Sequence, residues 1–458
     1  MTVTAYKTKI PDRAIDVVET GESAQKGHIA FRLDHDLEFN TEALQSYAFA
    51  RWQPLIYDAM VVAAAIEFAD LAIKRPSRSW ARRYSLRIPV DDPARWSDPA
   101  VLKSLHDAAE FLTGDFWAIE FRKRSKTLPA PLQEFLKFPR PTTAVIAYSD
   151  GMDSRAVAGL VGNTLGDKLV RVRVGSKGAG KPMVDGKPQP FARVPYKFKI
   201  KTKNRETSAR SRGFKFAMIS GLAAYLAEAE EILIPESGQG AFGPAIVTSA
   251  SHAYPDYRNH PLFTTRMARF LTALLGKSVR FTFPRIWHTK GETLREFAAM
   301  PDRDSWESTK SCWRDNRWSA VNQKHLQCGV CAACMLRRLS VHAAGLAEEP
   351  GIYICTELGV GSLEESIHPD FMRRTKAFGQ YAIAGTLHLD HMADMIRTEA
   401  RPAIRRHAAL TATALGISVQ QAEEQLVGML ERHAAEWRNF VDDLGENSFI
   451  RKWTRIDQ

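Results

Sequence analysis

The chain has no long apolar run and no cysteine among its first 311 residues. No stretch approaches the roughly 18 uncharged apolar residues that a membrane-spanning helix needs, so we expect none. The first 30 residues carry mixed charges and no apolar segment, which argues against a secretory signal and favours a cytoplasmic protein. With 45% hydrophobic and 25% charged residues over 458 positions, the composition also excludes a mainly disordered chain.

The chain also has fewer acidic than basic residues. The 63 Lys and Arg residues outnumber 52 Asp and Glu, which gives a formal net charge of +11. Such a balance suits polyanionic ligands: nucleotide phosphates, nucleic acid or an acidic protein. Residues 171–215 hold 14 of these cations against two acids. This basic stretch predicts a lid over ATP or a docking surface for an acidic partner, with a solvated loop as the alternative. Aromatic residues are sparse there, so nucleic acid is possible but not favoured.

Strand and helix patterns divide the chain into three predicted domains. Residues 1–130 alternate helical and strand-like apolar segments, which predicts an accessory α+β domain that begins with a loosely packed arm over residues 1–30. A proline-rich linker follows. Strands alternating with helices over residues 142–355 predict a parallel α/β sheet. Residues 356–458 lack strand patterns and predict a helical region, including a helix over 419–444.

The last predicted helix contains a histidine and a tryptophan, His433 and Trp437. His433 and Trp437 are four residues apart, which places them on one helix face. This spacing is more typical of core packing than of a cofactor site. We therefore predict that both side chains are buried in the C-terminal region and bind no cofactor.

A short polar segment, SDGMDS, lies between an apolar strand and a helix. Backbone N–H groups at a helix start and the helix dipole favour an anion, and Gly151 allows its close approach. Asp153 supplies a carboxylate for Mg²⁺ bound to phosphate oxygens. No Gly-Lys-Ser/Thr follows, which excludes a Walker loop and leaves an ordinary strand–turn–helix junction as the alternative. The predicted ATP-binding residues are Ser149, Asp150, Gly151, Met152, Asp153 and Ser154.

Four of the five cysteines lie within 23 residues, at Cys312, Cys328, Cys331 and Cys334. Two overlapping Cys-x-x-Cys steps can bind one metal, and Cys312 can complete a tetrahedron of thiolates. This donor set is typical of structural zinc. Reduced buried thiols and an iron–sulfur cluster are the alternatives. Cys355 lies outside the pattern, and we expect it in the hydrophobic core.

The loop and the cysteines resemble known families when they are taken together. SDGMDS is similar to the Ser-Gly-Gly-x-Asp-Ser signature of PP-loop ATP pyrophosphatases, with Asp150 in place of the first glycine. SCW around Cys312 and CGVCAAC over residues 328–334 resemble the zinc segment of the 7-cyano-7-deazaguanine synthase (QueC) family. YPDYR over 254–258 and PRIWHTKGE over 284–292 are similar to two further stretches of that family. The resemblance covers roughly residues 142–345 and implies a PP-loop α/β core.

This resemblance implies an ATP-dependent carbon–nitrogen ligase. The family activates 7-carboxy-7-deazaguanine as an acyl-adenylate with release of pyrophosphate, and ammonia then gives an amide and finally a nitrile. It implies structural Zn²⁺, and Mg²⁺ with ATP. The implied catalytic residues are Asp153, Ser154 and Lys290, with a solvated charge as the alternative for Lys290. The implied substrate-binding residues are Tyr254, Asp256 and Arg258, together with Arg212, which matches its family position only loosely. A local salt bridge in a turn is the alternative for Asp256 and Arg258.

The residues flanking the core lengthen the chain well beyond an ordinary synthase. In this respect the chain resembles long, divergent family members associated with antiviral defence gene clusters. That resemblance implies transfer of the deazapurine acyl group to an amine of a protein partner, which the flanking domains would bind. The alternative is a catalytically degenerate module with structural zinc that binds nucleotide or nucleic acid, because Asp150 would repel a phosphate. A tRNA-thiolating PP-loop enzyme is disfavoured, since a metal accounts better for the cysteines.

Overall fold

The computed structural model describes residues 12–39, 53–76, 81–126, 142–175, 183–184, 187–188, 191, 194–199, 206, 209–247, 255–314 and 319–454. The proline-rich linker and nearly half of the basic stretch lie outside these residues, as does Tyr254. Within the described part of the chain, no helix is both long and apolar enough to cross a membrane.

The first described region is a four-stranded sheet in which all strands run parallel. Its strands are β1 (Asp12–Val18), β2 (Ile29–Arg32), β4 (Arg83–Val90) and β5 (Phe116–Lys123), in the order β2-β1-β4-β5. The short strand β3 (Leu37–Phe39) lies outside this sheet. The helices of this first region are α1 (Pro54–Ala72), α2 (Pro93–Trp96) and α3 (Pro99–Thr113). Each begins at a proline, whose fixed φ suits the first helical position.

The prediction of a loosely packed arm over residues 1–30 is wrong for the part that the structure describes. Strand β1 pairs with both β2 and β4, and the side chains of Ile15 and Val17 are 0% exposed. The sequence DRAIDVV gave a weak signal because Asp16 interrupts its apolar residues. Asp16 is tolerated because it bonds to His28 and to the backbone N–H of Gln25.

The second sheet is also four-stranded and parallel, as predicted for the core. It has the order β12-β11-β6-β7, with β6 (Ala144–Tyr148), β7 (Leu169–Arg173), β11 (Glu231–Leu233) and β12 (Arg280–Thr282). Two short strands, β8 (Met183–Val184) and β9 (Lys187–Pro188), pair with each other, and β10 (Tyr196–Phe198) pairs with β3. The helices are α4 (Met152–Leu165), α5 (Arg212–Leu226), α6 (Gly238–Ile246), α7 (Pro261–Leu275) and α8 (Lys290–Ala298).

The remainder is almost entirely helical, which confirms the predicted C-terminal region. A small hairpin of β13 (Ala320–Val321) and β14 (Lys324–His325) precedes α9 (Ala332–Ala343). The later helices are α10 (Leu363–Ser366), α11 (Lys376–Asp394), α12 (Arg401–Leu415), α13 (Val419–Asp443) and α14 (Phe449–Trp453). Helix α13 matches the predicted helix to within one residue, and both His433 and Trp437 are buried in it.

Two large apolar clusters hold these elements together. The first is continuous across residue 142: it contains Ile15 and Leu86 of the N-terminal sheet together with Val145, Phe214 and Phe270 of the central region. The second joins the cysteine segment to helices α11, α13 and α14. The C-terminal helices therefore pack directly against the part of the chain that carries the predicted metal site.

Candidate active site and metal centre

The SDGMDS segment lies where β6 ends and α4 begins, as predicted. Ser149 Oγ lies 2.9 Å from Ser154 Oγ and accepts a hydrogen bond from the Gly151 N–H at 3.2 Å. Met152 is 1% exposed and packs in an apolar cluster, so its side chain does not face a ligand. This turn occupies the carboxyl edge of a parallel sheet, where α/β proteins bind their ligands.

Asp150, which departs from the family signature, is paired with a cation. Its two carboxylate oxygens accept hydrogen bonds from the Arg173 guanidinium at 2.8 and 3.2 Å. Arg173 ends strand β7, next to β6 in the sheet, and the side chain is only 6% exposed. The pair therefore offsets the repulsion between Asp150 and a phosphate that the sequence analysis expected.

Asp153 and Lys290, both predicted to be catalytic, form an ion pair. They lie at the first turns of α4 and α8. The lack of a side chain at Gly159 lets these helices pack closely, since a Cβ there would lie 2.3 Å from the Phe297 ring. Asp153 Oδ2 accepts from Lys290 Nζ, whereas Oδ1 is buried and has no hydrogen-bond partner among the described residues. A carboxylate oxygen in that state fits a Mg²⁺ ligand, and the lysine fits a phosphate oxygen.

Glu236 belongs to the same carboxyl edge of the sheet, although no sequence motif predicted it. It follows β11, the neighbour of β6, and its Oε2 accepts from Asn259 Nδ2 at 2.6 Å. Burial, and then the negative charge of Asp153, raises the pKa of Glu236 to about 8. The one available signal was an acid placed directly after the apolar strand EILIP.

The predicted substrate residues Arg212, Asp256 and Arg258 lie close together. Arg258 forms an ion pair with Asp256, and each side chain is 33% exposed. The negative charge of Asp256 raises the pKa of Arg258. Desolvation and the positive charge of Arg258 lower the pKa of Arg212 at the start of α5. Asp256 neutralises one of the two adjacent arginines, so the three residues together keep a net positive charge. This charge is suited to binding a carboxylate or phosphate.

The four predicted metal ligands converge. The sulfur atoms of Cys312, Cys328, Cys331 and Cys334 all lie within 4.8 Å of one another. The last three are 0% exposed, and Cys312 is half-buried. Burial raises the pKa of the Cys334 thiol, so a cation is needed to hold the set as thiolates. Four soft ligands at this separation fit a closed tetrahedral Zn²⁺ site.

The backbone around the cysteines is shaped for such a centre. The Cys328 N–H donates to Cys312 Sγ at 3.3 Å, and the Cys331 N–H donates to Cys328 Sγ at 3.2 Å. Gly329 has φ +83°, and a Cβ there would lie 2.7 Å from the Cys355 carbonyl oxygen. Only glycine satisfies both conditions, so the turn between the ligands requires it. Cys355 itself is buried in the core, as expected.

Two arginines follow the last cysteine on α9. Arg337 is 0% exposed and pairs with Glu348 at 2.9 Å, and it also donates to the Thr309 carbonyl at 3.0 Å. Arg338 donates to backbone carbonyls and stacks on the Tyr353 ring. Both side chains bridge segments around the cysteines, so their main effect is to hold the segment together.

The central region of the chain, including the cysteine segment, matches a known protein family. Residues 213–345 match the model of the family described as queuosine biosynthesis protein QueC. This segment, 133 of the 458 residues, is similar to QueC. The match includes Lys290, Arg258 and all four cysteines, and the phosphate loop lies upstream of it. No curated protein and no solved structure matches the chain significantly.

The QueC-like match and the geometry agree on the general chemistry. A PP-loop enzyme of this family uses ATP as a ligase or synthetase does, and its substrate is nucleotide-like. The loop N–H groups, Lys290 and the arginines place positive charge at the sheet edge, while the cysteines lie in a separate buried centre. The edge therefore suits anion chemistry, and the cysteine centre suits a structural metal.

Proposed function

We propose that the protein is an ATP-dependent synthetase that adenylates a 7-deazapurine carboxylate and transfers the acyl group to an amine. The observation that carries this proposal is the Asp153–Lys290 pair at the end of the phosphate loop, in a chain whose residues 213–345 match the QueC family. A carboxylate is a poor electrophile, so one of its oxygens must first become part of a good leaving group.

The proposed first step is attack of a substrate carboxylate oxygen on the α-phosphorus of ATP. The bond from that phosphorus to the bridging β-phosphate oxygen breaks, and pyrophosphate leaves. Loop N–H groups and the Lys290 ammonium stabilise the negative charge that develops on the phosphates. Asp153 would hold Mg²⁺, which supplies further charge stabilisation when bound.

In the second step an amine attacks the acyl carbon, AMP leaves, and the amine loses a proton. Glu236 lies beside Asp153 and Lys290 and is a candidate to accept that proton. Arg212 and Arg258 are suited to the substrate carboxylate, and Asp256 orients Arg258. Ammonia as the amine gives an amide and, after a second activation, a nitrile.

The resemblance to long family members supports a further proposal about the acceptor. We propose that it includes an amine of a protein partner bound by the flanking domains at 1–130 and 356–458. The proposed setting is antiviral defence in the cytoplasm. The binding-module alternative drew on Asp150, and its pairing with Arg173 weakens that argument.

The proposal is tested by incubating the protein with ATP, Mg²⁺ and 7-carboxy-7-deazaguanine, followed by measurement of pyrophosphate and of product mass. We expect pyrophosphate release that depends on the carboxylate. Mass spectrometry with ammonia or with candidate protein partners then separates nitrile, free amide and protein conjugate. ATP binding without carboxylate-dependent pyrophosphate would support the binding module instead.

A further inference from the structure

The backbone of Lys290 is tied to the C-terminal helices by a buried chain of hydrogen bonds. The Lys290 N–H donates to Gln239 Oε1 at 2.7 Å. Gln239 Nε2 lies 2.8 Å from His433 Nδ1, and His433 Nε2 lies 2.9 Å from the Leu389 carbonyl oxygen. Gln239 is 1% exposed and His433 is 0% exposed.

The direction of every bond in this chain is fixed by its two ends. The Leu389 carbonyl can only accept, so His433 Nε2 must carry the proton and Nδ1 must accept. Gln239 then donates through Nε2, which leaves its Oε1 to accept from Lys290. If the Gln239 amide were reversed, its NH2 group would face the Lys290 N–H and its oxygen would face His433 Nδ1. Buried polar atoms would then be left unpaired. Burial lowers the pKa of His433 to about 4, which keeps its ring neutral.

A second contact from the same helix reaches the residue before Lys290. Glu436, one turn after His433 on α13, accepts from the Thr289 hydroxyl. Thr289 is the N-cap of α8, and its hydroxyl also accepts from the Glu292 N–H at 3.1 Å in a capping box. The start of α8, and with it the direction of the Lys290 side chain, is thus held from α13.

We propose that His433 and Gln239 are positioning residues for Lys290, so that the C-terminal helices complete the phosphate site. The inference rests on the proposed role of Lys290 at the phosphates. It gives the C-terminal region a part in turnover, although this region lies outside the QueC-like match. A displacement of about 1 Å at a reacting centre can cost about a hundredfold in rate.

Two substitutions of His433 separate positioning from packing. Asn carries a polar atom at the δ position, so His433→Asn retains an acceptor for Gln239 but loses the donor to Leu389. His433→Gln retains a polar atom at the ε position and fills more of the space, but it loses the acceptor. If His433 only packs, His433→Gln should lower kcat and Tm less than His433→Asn does. If His433 positions Lys290, His433→Asn should lower kcat less than His433→Gln does.

We expect kcat for pyrophosphate release to fall about tenfold to a hundredfold in His433→Gln and to stay near the parent value in His433→Asn. Thermal unfolding should follow the opposite order, with the lower Tm in His433→Asn. Trp437→Phe is the matched control, because it removes one buried hydrogen bond of 3.1 Å from the same helix without touching this chain. It should lower Tm with little change in kcat.

A readout that does not require turnover keeps this inference separate from the proposed function. The Lys290 amine is labelled with an acylating reagent and quantified by mass spectrometry. In His433→Gln we expect severalfold faster labelling than in the parent, because Lys290 leaves Asp153 more often. Gln239→Met, which removes the Lys290 acceptor from α6, should behave in the same way and serves if a His433 variant does not fold.

The outcomes are distinct. If the parent releases no pyrophosphate but the labelling follows the expected order, the proposed function fails and the positioning role stands. If labelling and kcat both follow the order of Tm, or if Gln239→Met labels at the parent rate, His433 and Gln239 only pack and the inference is overturned.

Discussion

The phosphate loop and the cysteine centre differ in how their charges are balanced. At the loop, Asp150 is paired with Arg173 and Asp153 with Lys290. At the cysteine centre, the sulfur atoms contact one another and backbone N–H groups, while Arg337 binds Glu348 and Arg338 binds backbone carbonyls. The loop can therefore fold with its ligand absent, whereas four clustered thiolates, three of them fully buried, need a cation. Ligand removal should cost activity at the first site and stability at the second.

The largest effect should come from breaking the cysteine centre. We expect Cys331→Ser to lose zinc and to become poorly soluble, because structural zinc contributes about 10–16 kcal/mol in small folding units. Metal analysis and thermal unfolding check this. Cys355→Ser is the matched control, a buried cysteine outside the cluster that should keep its zinc. Fully folded parent protein purified without zinc would contradict the assignment.

The corresponding change at the loop should leave the fold intact. Asp153→Ala and Ser154→Ala should each lower pyrophosphate release by about a hundredfold to a thousandfold, since a preorganised electrostatic contact is lost. Zinc content and Tm should stay near the parent values. Asp167→Ala, an exposed acid beyond the other end of α4, is the control. Turnover at the parent rate in Asp153→Ala would remove this loop from the active site.

A smaller effect tests the Asp150–Arg173 pair. Asp150→Gly restores the family signature and releases Arg173 toward the phosphates, so we expect ATP to bind severalfold more tightly. Arg173→Gln should weaken ATP binding, because it leaves Asp150 uncompensated. Titration calorimetry with ATP and Mg²⁺ measures both. Loss of activity in Asp150→Gly without a gain in affinity would instead indicate that Asp150 binds a second metal ion.

The smallest expected effect is a dependence of stability on pH. Burial raises the pKa of Glu436 from 4.5 to about 7. Between these values the folded chain keeps a proton that the unfolded chain releases, so the free energy of unfolding falls as pH rises from about 4.5 to 7. Glu436→Gln should flatten this fall by a few degrees in Tm, measured from pH 5 to pH 8. Glu431→Gln, exposed on the same helix, should leave the curve unchanged.

The elements with strong local patterns were predictable, and the weak ones were not. The helix predicted over 419–444 and the strand–loop–helix around Gly151 were confirmed because periodicity and turn residues act over a few positions. Strand β1 was missed because its pattern is short and contains Asp16. Its burial depends on pairing with β4, about 70 residues later in the chain, which local periodicity cannot report.

The sequence by itself determined the donor set of the cysteine centre, the phosphate loop and the Asp256–Arg258 pair. In each of these the residues lie close along the chain, so spacing and residue type define the geometry. Tertiary structure decided which groups the loop acids meet: Arg173 is 23 positions from Asp150, and Lys290 is 137 positions from Asp153. It also decided that His433 reaches Gln239 across 194 positions. Such contacts depend on how helices and strands pack, because no local preference fixes the distance between residues so far apart.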